Sequence, residues 1–232
     1  MTTTQTSRDA PLLVADGLHL TYGPTTALDS ASLHVRAGES IALMGPSGSG
    51  KSTLLHCLAG ILKPEAGRVL YGGRDLTAMP DAERSTLRRT EFGFVFQFGQ
   101  LVPELTCEEN VALPLRLAGV GRVEARDAAR EWLTRLEVPD VAGKRPGQAS
   151  GGQGQRVAVA RALVTRPRVV FADEPTGALD SLNGERVMQL LTAAARDTGA
   201  AVVLVTHEAR VAAYADREAV VRDGRVREQV PA

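Results

Sequence analysis

Cysteine and long apolar runs are both scarce in this sequence. It has two cysteines, Cys57 and Cys107, which are too few for a disulfide framework and lack the spacing of metal ligands. We therefore expect two buried thiols in a protein of a reducing compartment. The longest unbroken apolar run, residues 200–205, has six residues, whereas a membrane-spanning helix needs about 20. The sequence thus predicts no membrane-spanning segment.

An excess of positive charge is also absent. The 27 Lys and Arg residues balance 27 Asp and Glu residues, which gives a formal net charge of zero. Such a chain has no electrostatic reason to bind DNA or RNA, so we expect no nucleic-acid partner. Nearly all of the positive charge is arginine, because the only lysines are Lys51, Lys63 and Lys144. Because lysine is rare in this chain, the presence of Lys51 inside a glycine-rich segment indicates a functional role.

Short apolar runs alternate with helical patterns along the chain, which indicates an α/β fold with a mainly parallel sheet and helices on its faces. A turn signal at Asp223 and Gly224 predicts that residues 225–228 fold back as a hairpin strand. The other predicted strands are residues 12–20, 40–44, 68–71, 92–96, 169–173, 202–206 and 218–222.

Two stretches depart from this alternation. Residues 1–11 lack the apolar core of a secretory signal, so we expect a flexible tail. From about residue 98 to about residue 165, β-branched runs give way to helical segments punctuated by prolines. We interpret this stretch as a helical subdomain inserted into a single domain of residues 12–232.

The glycine-rich segment of residues 45–52, GPSGSGKS, fits the G-x-x-x-x-G-K-[ST] pattern of a phosphate-binding loop. It follows an apolar strand and precedes a helical pattern, which is the context that the motif needs. Glycines let backbone N–H groups converge on phosphate oxygens, Lys51 reaches the β and γ phosphates of ATP, and Ser52 binds Mg²⁺. The predicted ATP-binding residues here are Gly45, Pro46, Ser47, Gly48, Ser49, Gly50, Lys51, Ser52 and Thr53.

A second candidate element is the apolar run of residues 169–172, which ends in Asp173 and Glu174. Such a run is typical of a buried central strand, and ligands bind at the carboxyl ends of strands in this class of sheet. We predict that Asp173 binds Mg²⁺ and that Glu174 polarises the attacking water as a general base.

The third candidate element is a second glycine-rich segment, Ser150-Gly151-Gly152-Gln153, which precedes a helical pattern but has no lysine. We expect a helix N-terminus with free backbone donors for phosphate. With all three elements present, the sequence from about residue 12 to about residue 228 resembles the ATP-binding subunit of ABC transporters. In that family this segment, called here the signature segment, faces the γ-phosphate held by the phosphate loop of a second copy. The resemblance therefore implies a homodimer that encloses two ATP molecules.

The resemblance also implies roles for four further residues. Tyr22 matches the aromatic residue that stacks on adenine, and Gln97 matches the glutamine that senses Mg²⁺ and the γ-phosphate. His207 matches the histidine that contacts the γ-phosphate. Asp180 matches the aspartate that links the two ATP sites, and it also has the character of a helix cap. The implied fold is a RecA-like phosphate-loop ATPase core with an antiparallel β subdomain and an inserted α-helical subdomain.

Within the family, sequence segments such as residues 109–115 and 172–181 look most like those of the MacB, lipoprotein-release and bacitracin-resistance branch. This implies a peripheral ATPase on the cytoplasmic face of the membrane, held there by a separate FtsX-like permease. An ATPase of an amino-acid-type importer is the alternative, because importers and this branch share the same catalytic residues. A soluble ABC ATPase of another class is disfavoured, because no sustained heptads predict the coiled coil of the chromosome-organising type.

The signature region departs from the family pattern at two positions. Ala149 stands where leucine is usual, and Gly154 replaces a bulkier residue. The smaller Ala149 removes apolar packing beneath the segment. We expect this to loosen the closed dimer without touching the residues that face phosphate.

Overall fold

The computed structural model describes residues 10–228, so the predicted tail of residues 1–11 lies almost entirely outside the described residues. Two compact units are present, one formed by the chain up to Arg84 and again from Ala201, the other by Ser85–Ala200. The interpretation as one domain with an insertion stays a prediction. In residues 10–228, no helix has both the length and the hydropathy that a bilayer crossing requires.

The strands are β1 (Leu13–Tyr22), β2 (Thr25–Val35), β3 (Ser40–Met44), β4 (Ala66–Tyr71), β5 (Arg74–Asp75), β6 (Phe92–Phe96), β7 (Val169–Asp173), β8 (Ala201–Val205), β9 (Arg217–Arg222) and β10 (Arg225–Glu228). The α-helices are α1 (Lys51–Leu58), α2 (Asp81–Thr90), α3 (Cys107–Leu117), α4 (Arg122–Arg135), α5 (Gly151–Leu163), α6 (Ser181–Thr198) and α7 (Ala209–Ala212). Short 3₁₀ turns lie at Pro139–Val141 and Pro146–Gln148.

The first unit contains two sets of strands. One is an antiparallel sheet in the order β2-β1-β4-β5. The other runs β10-β9-β3-β8, in which β3 is parallel to both of its neighbours and β10 closes the predicted hairpin on β9. Strand β3 is apolar and almost wholly buried, as expected for a strand between two parallel partners. The mixture of parallel and antiparallel strands agrees with the fold class implied by the resemblance.

Strand β2 was absent from the sequence prediction, and a local irregularity explains why. Leu20 pairs with Leu28 and Leu18 pairs with Ala31, so β2 advances one more residue than β1 over this interval. The extra residue is a β-bulge, at which Ser30 adopts a left-handed φ of 55°. The bulge interrupts the alternation of apolar and polar residues, which is the signal that identifies a strand from sequence.

The second unit combines a strand pair with most of the helices. Strands β6 and β7 are parallel, with Phe96 opposite Asp173 at their carboxyl ends. Helices α3, α4 and α5 occupy the stretch in which the sequence predicted helices. Helix α3 begins at a capping box formed by Thr106 and Glu109. Both cysteines are buried free thiols, as predicted, and burial raises the pKa of Cys57 to about 12.

Candidate nucleotide-binding site

The phosphate loop, residues 45–52, joins β3 to α1 in the first unit, as the sequence predicted. Gly45, Gly48 and Gly50 have φ angles of 147°, 77° and 102°, a region that residues with side chains rarely adopt. A Cβ atom on Gly45 would lie 2.1 Å from the carbonyl oxygen of Val221, and one on Gly50 would lie 2.3 Å from that of Ala27. These contacts require glycine and fix the curvature of the loop.

Lys51 is held inside this curve. Its side chain is 6% exposed, and Nζ donates hydrogen bonds to the carbonyl oxygens of Gly45 at 2.9 Å and Pro46 at 2.8 Å. The first turn of α1 contains no acidic residue. The positive end of the helix dipole and the ammonium group therefore act at one place, which suits an anion.

Two serines of the loop differ in exposure. Ser52 is exposed in the first turn of α1. The Ser49 hydroxyl is buried and has no hydrogen-bond partner among the described residues. A buried polar group without a partner is costly in the interior of a protein, so this hydroxyl is suited to a polar group that enters the loop.

The first unit also carries Tyr22 and His207. Tyr22 ends β1 with its side chain 52% exposed, so a ring face is accessible to a planar ligand. His207 is exposed and follows β8, where the Thr206 hydroxyl accepts a hydrogen bond from the Glu208 amide at 3.1 Å. Strand β8 is parallel to β3, so His207 and the phosphate loop leave the carboxyl ends of neighbouring strands. Ligands bind at this edge in doubly wound sheets.

In the second unit, Gln97 follows β6, Asp173 ends β7, and Glu174 comes next. Because Phe96 lies opposite Asp173 in the strand pair, Gln97 and the two acids lie at the same edge. Glu174 has a left-handed φ of 46°. Residues with side chains adopt this conformation at a cost, and it recurs at functional sites.

The Gln97 side chain rests against the loop that follows Glu174. A Cβ atom on Gly177 would lie 2.8 Å from Nε2 of Gln97. Glycine at position 177 is therefore needed for Gln97 to keep this position, a requirement that sequence reasoning missed.

No cluster of three or more His, Cys, Asp or Glu side chains in residues 10–228 could hold a metal ion. Mg²⁺ in phosphate-transfer sites usually takes only one or two protein oxygens and completes its shell with water and substrate phosphates. The predicted ligands Ser52, Gln97 and Asp173 supply a hydroxyl, an amide and a carboxylate. Each of the three is an oxygen donor of the kind that Mg²⁺ accepts.

The signature segment forms the start of α5, with Ser150 as its N-cap. The Ser150 hydroxyl accepts a hydrogen bond from the Gln153 amide at 3.3 Å, and Gln153 Oε1 accepts one from the Ser150 amide at 3.0 Å. This capping box occupies the backbone N–H groups of Ser150 and Gln153, so these two donors are not free for phosphate. The amides of Gly151 and Gly152 lie in the first turn, where no carbonyl of the helix reaches them.

Asp180 caps α6, so the cap anticipated from sequence is present. It accepts hydrogen bonds from the backbone amide of Asn183 at 2.9 Å and from Nδ2 of Asn183 at 2.7 Å. These bonds hold the pKa of Asp180 below its ordinary value. A Cβ atom on Gly152 would lie 2.6 Å from Oδ1 of the same asparagine. Asn183 therefore connects Asp180 to the signature segment, and the sequence pattern gave no indication of that contact.

A cleft of about 290 Å³ lies beside the signature segment. Its lining includes Gln97, Ala149, Gly154 and Leu179. A Cβ atom on Gly154 would meet nothing within 4 Å. Both of the small residues that depart from the family pattern therefore line this cleft.

Comparison with known proteins finds relatives that match most of the chain. Residues 28–177 match the sequence profile of the family described as ABC transporter. The lipoprotein-releasing system ATP-binding protein LolD of Syntrophotalea carbinolica is 45% identical over 199 residues, which cover 86% of this chain and 88% of that protein. The macrolide export ATP-binding/permease protein MacB of Brucella melitensis is 47% identical over 199 residues, which cover 86% of this chain and 31% of that protein.

Solved structures agree with these relatives. The dimeric structure of MJ0796, a bacterial ABC transporter cassette, has a TM-score of 0.87 at 41% identity and covers 94% of this chain and 97% of its own. A dimeric post-hydrolysis state of the same cassette, bound to ADP and Pi, has a TM-score of 0.86 at 38% identity, with 95% and 100% covered. The predicted fold class is confirmed by these structures.

Proposed function

Because the chain belongs to the ABC transporter family of ATPases, we propose that two copies of it bind two ATP molecules with Mg²⁺ between them. Hydrolysis then drives a separate FtsX/MacB-like membrane permease. The permease acts in export or in the handling of peptides or lipoproteins. The observation that carries this proposal is the presence in one chain of a complete phosphate loop and a lysine-free signature segment. The second element has a purpose when another copy supplies the lysine.

In the first unit, Lys51 and the backbone N–H groups of residues 47–53 hold the β and γ phosphates, and Gly45 and Pro46, which has no N–H group, shape the start of the loop. Tyr22 stacks on adenine, and His207 contacts the γ-phosphate. Ser52 is a ligand of Mg²⁺, which when bound neutralises charge on the phosphates. The buried Lys51 and the acid-free first turn of α1 support this assignment.

In the second unit, Asp173 and Gln97 are further Mg²⁺ ligands, and Glu174 is the general base. Its left-handed backbone supports a functional role, because the conformation is costly for a residue with a side chain. Asp180 links the two ATP sites of the dimer. The amides of Gly151 and Gly152, with the Ser150 cap, present a helix N-terminus to the γ-phosphate of the other copy.

The relatives favour a transporter ATPase of the LolD and MacB branch over the amino-acid-type importer and over a soluble ABC ATPase. We place the protein on the cytoplasmic face of the membrane through its permease. The solved MJ0796 cassettes are dimers, and one holds ADP and Pi. Both facts support an ATP-bound homodimer of this chain.

The Glu174→Gln variant tests the core of the proposal. Without its general base, the ATPase rate should fall by roughly 10²–10⁴-fold, while ATP and Mg²⁺ shift the protein to a dimer on size exclusion. Glu185→Gln, an exposed position on α6, is the matched control. An unchanged rate in Glu174→Gln contradicts the general-base role, and a monomer under all conditions contradicts the ATP-bound dimer.

We propose that a basic cleft between α3 and α4 is the docking surface for the permease. It has a volume of about 540 Å³, and its lining includes Arg116, Arg122, Arg126 and Arg130, all exposed. The cleft also contains Glu108 and Glu109, and Arg126 pairs with the neighbouring Asp127 at 3.7 Å, which leaves Arg116 and Arg122 as the cations of the lining without an ion pair to an acid among the described residues. Glu108 already pairs with Arg130 at 2.5 Å, and Glu109 belongs to the cap of α3. The surplus of positive charge favours an acidic segment of the partner.

Charge reversal at this cleft tests the docking. The Arg122→Glu/Arg126→Glu variant should lose most of its co-sedimentation with host membranes that contain the permease, while Arg68→Glu on β4 should retain it. Protein-free vesicles of anionic lipid are the comparison. If the double variant still binds membranes that contain the permease, the proposal is contradicted. If the parent protein binds the lipid vesicles and the double variant does not, the cleft binds a lipid surface instead.

A further inference from the structure

The signature segment and Gln97 are tied together inside one subunit by Gln155. This residue lies on α5, the helix that the signature segment begins, and it is 3% exposed. Its Nε2 donates a hydrogen bond of 2.8 Å to the carbonyl oxygen of Phe96. That carbonyl belongs to the peptide bond that joins Phe96 to Gln97. The backbone of Gln97 is therefore attached to α5 as well as to β6.

Arg161, further along α5, holds the chain just after Gln97. It donates hydrogen bonds to the carbonyl oxygens of Gly99 at 2.6 Å and Gln100 at 2.7 Å. Gly99 and Gln100 have left-handed φ angles of 66° and 46°. This turn directs their carbonyl oxygens to the guanidinium. Burial lowers the pKa of Arg161, but a guanidinium keeps its charge in proteins.

The contacts around Gly99 make this arrangement specific. A Cβ atom there would lie 3.4 Å from Oε1 of Gln155 and 3.4 Å from the Cβ of Ala158. The segment of residues 96–100 is thus packed closely on α5. Separating it from the helix would leave a buried amide and several carbonyl groups without partners, which proteins avoid.

We infer that Gln155 is a positioning residue that makes Gln97 and the signature segment move as one body. Since the Gln97 side chain also rests on Gly177, a shift of α5 reaches the loop that follows Glu174. Gln155 bonds the peptide group next to Gln97, nearer to it than the Arg161 contacts, and so couples the γ-phosphate sensed by Gln97 to the γ-phosphate that the signature segment faces in the other copy. The inference rests on the proposed roles of Gln97 and the signature segment.

The test replaces Gln155 by methionine, which has a similar volume but no donor. Arg161 still holds residues 99 and 100, so we expect a folded protein. Two quantities are measured: the ATPase rate as a function of free Mg²⁺ at saturating ATP, and the affinity for the fluorescent analogue mant-ATP in EDTA. Gln155→Met should lower the maximal rate by about tenfold to a hundredfold and raise the Mg²⁺ concentration for half-maximal activity severalfold. The mant-ATP affinity, which depends on the phosphate loop, should stay within about twofold of the parent value.

The controls separate this inference from the proposed function. Gln189→Met, an exposed position on α6, should leave both quantities unchanged. Gln97→Ala should raise the Mg²⁺ requirement, and combining it with Gln155→Met should add little, because the two residues act through one contact. If Gln97→Ala leaves the Mg²⁺ requirement unchanged, the proposed role of Gln97 fails and the inference fails with it. If Gln97→Ala raises it but Gln155→Met does not, or if the two effects simply add, only the inference is overturned.

Discussion

The phosphate loop and the signature segment are both glycine-rich helix N-termini, yet they are built in different ways. In the phosphate loop the glycines adopt left-handed backbone angles, and Lys51 is bonded to the loop's own carbonyl groups. In the signature segment Gly151 and Gly152 are ordinary helical residues, and Ser150 forms a regular cap with Gln153. The first segment is a curved chain, and the second is the flat end of a helix.

The same residue type therefore serves two purposes. Glycine in the phosphate loop allows the backbone to curve around a ligand, whereas Gly152 leaves room for the Asn183 side chain. A curved loop can enclose a phosphate group without help from another chain. A flat helix end covers only one side, so it suits a ligand that another molecule holds.

The strongest test removes the charge from the curved loop. Lys51→Met should lower the ATPase rate by roughly 10²–10³-fold, because it removes a preorganised positive charge from the phosphates. Steady-state phosphate release measures the effect. Lys63→Met, which alters an exposed lysine beyond α1, serves as the control. Equal rates in the two variants would mean that the loop needs only its backbone amides, as the signature segment does.

The second test acts on the flat helix end. Gly152→Ala places a methyl group against Asn183, which should displace the start of α5 and weaken ATP-driven dimerisation by about tenfold or more. Binding of mant-ATP to the monomer should be unaffected. Gly154→Ala, where the added methyl group meets open space, should dimerise normally. Sedimentation of both variants in the Glu174→Gln background measures the dimerisation. Weakened mant-ATP binding in Gly152→Ala would contradict the distinction between the two segments.

The smallest effect is expected from Ala149→Leu. A leucine would fill part of the cleft of about 290 Å³ beside the signature segment. Each buried methylene stabilises by ~0.8 kcal/mol, so if closure of the dimer buries one of the three added carbons, the dissociation constant of the ATP-bound dimer should fall by about fourfold. An unchanged constant would show that the small residue is neutral and that the cap alone sets the helix end.

Local sequence patterns predicted the phosphate loop because the strand, glycines and helix follow one another directly. Strand β3 even has the predicted bounds. Strand β2 was missed because the bulge at Ser30 disturbs its alternation. The contact of Gln155 with Phe96 joins residues 59 positions apart. No periodicity or motif reports such a contact, because only the folded chain brings the two residues together.

The left-handed backbone of Glu174 has a consequence for engineering. Glycine relieves such a conformation, at a gain of ~1 kcal/mol or more. A library of variants sorted for thermostability alone should therefore enrich Glu174→Gly, and the enriched proteins would hold nucleotide but turn it over poorly. Selection for stability favours glycine at position 174, and selection for turnover favours glutamate. A library sorted for turnover should therefore be depleted of glycine at this position, and the extent of the depletion measures how strongly function outweighs stability.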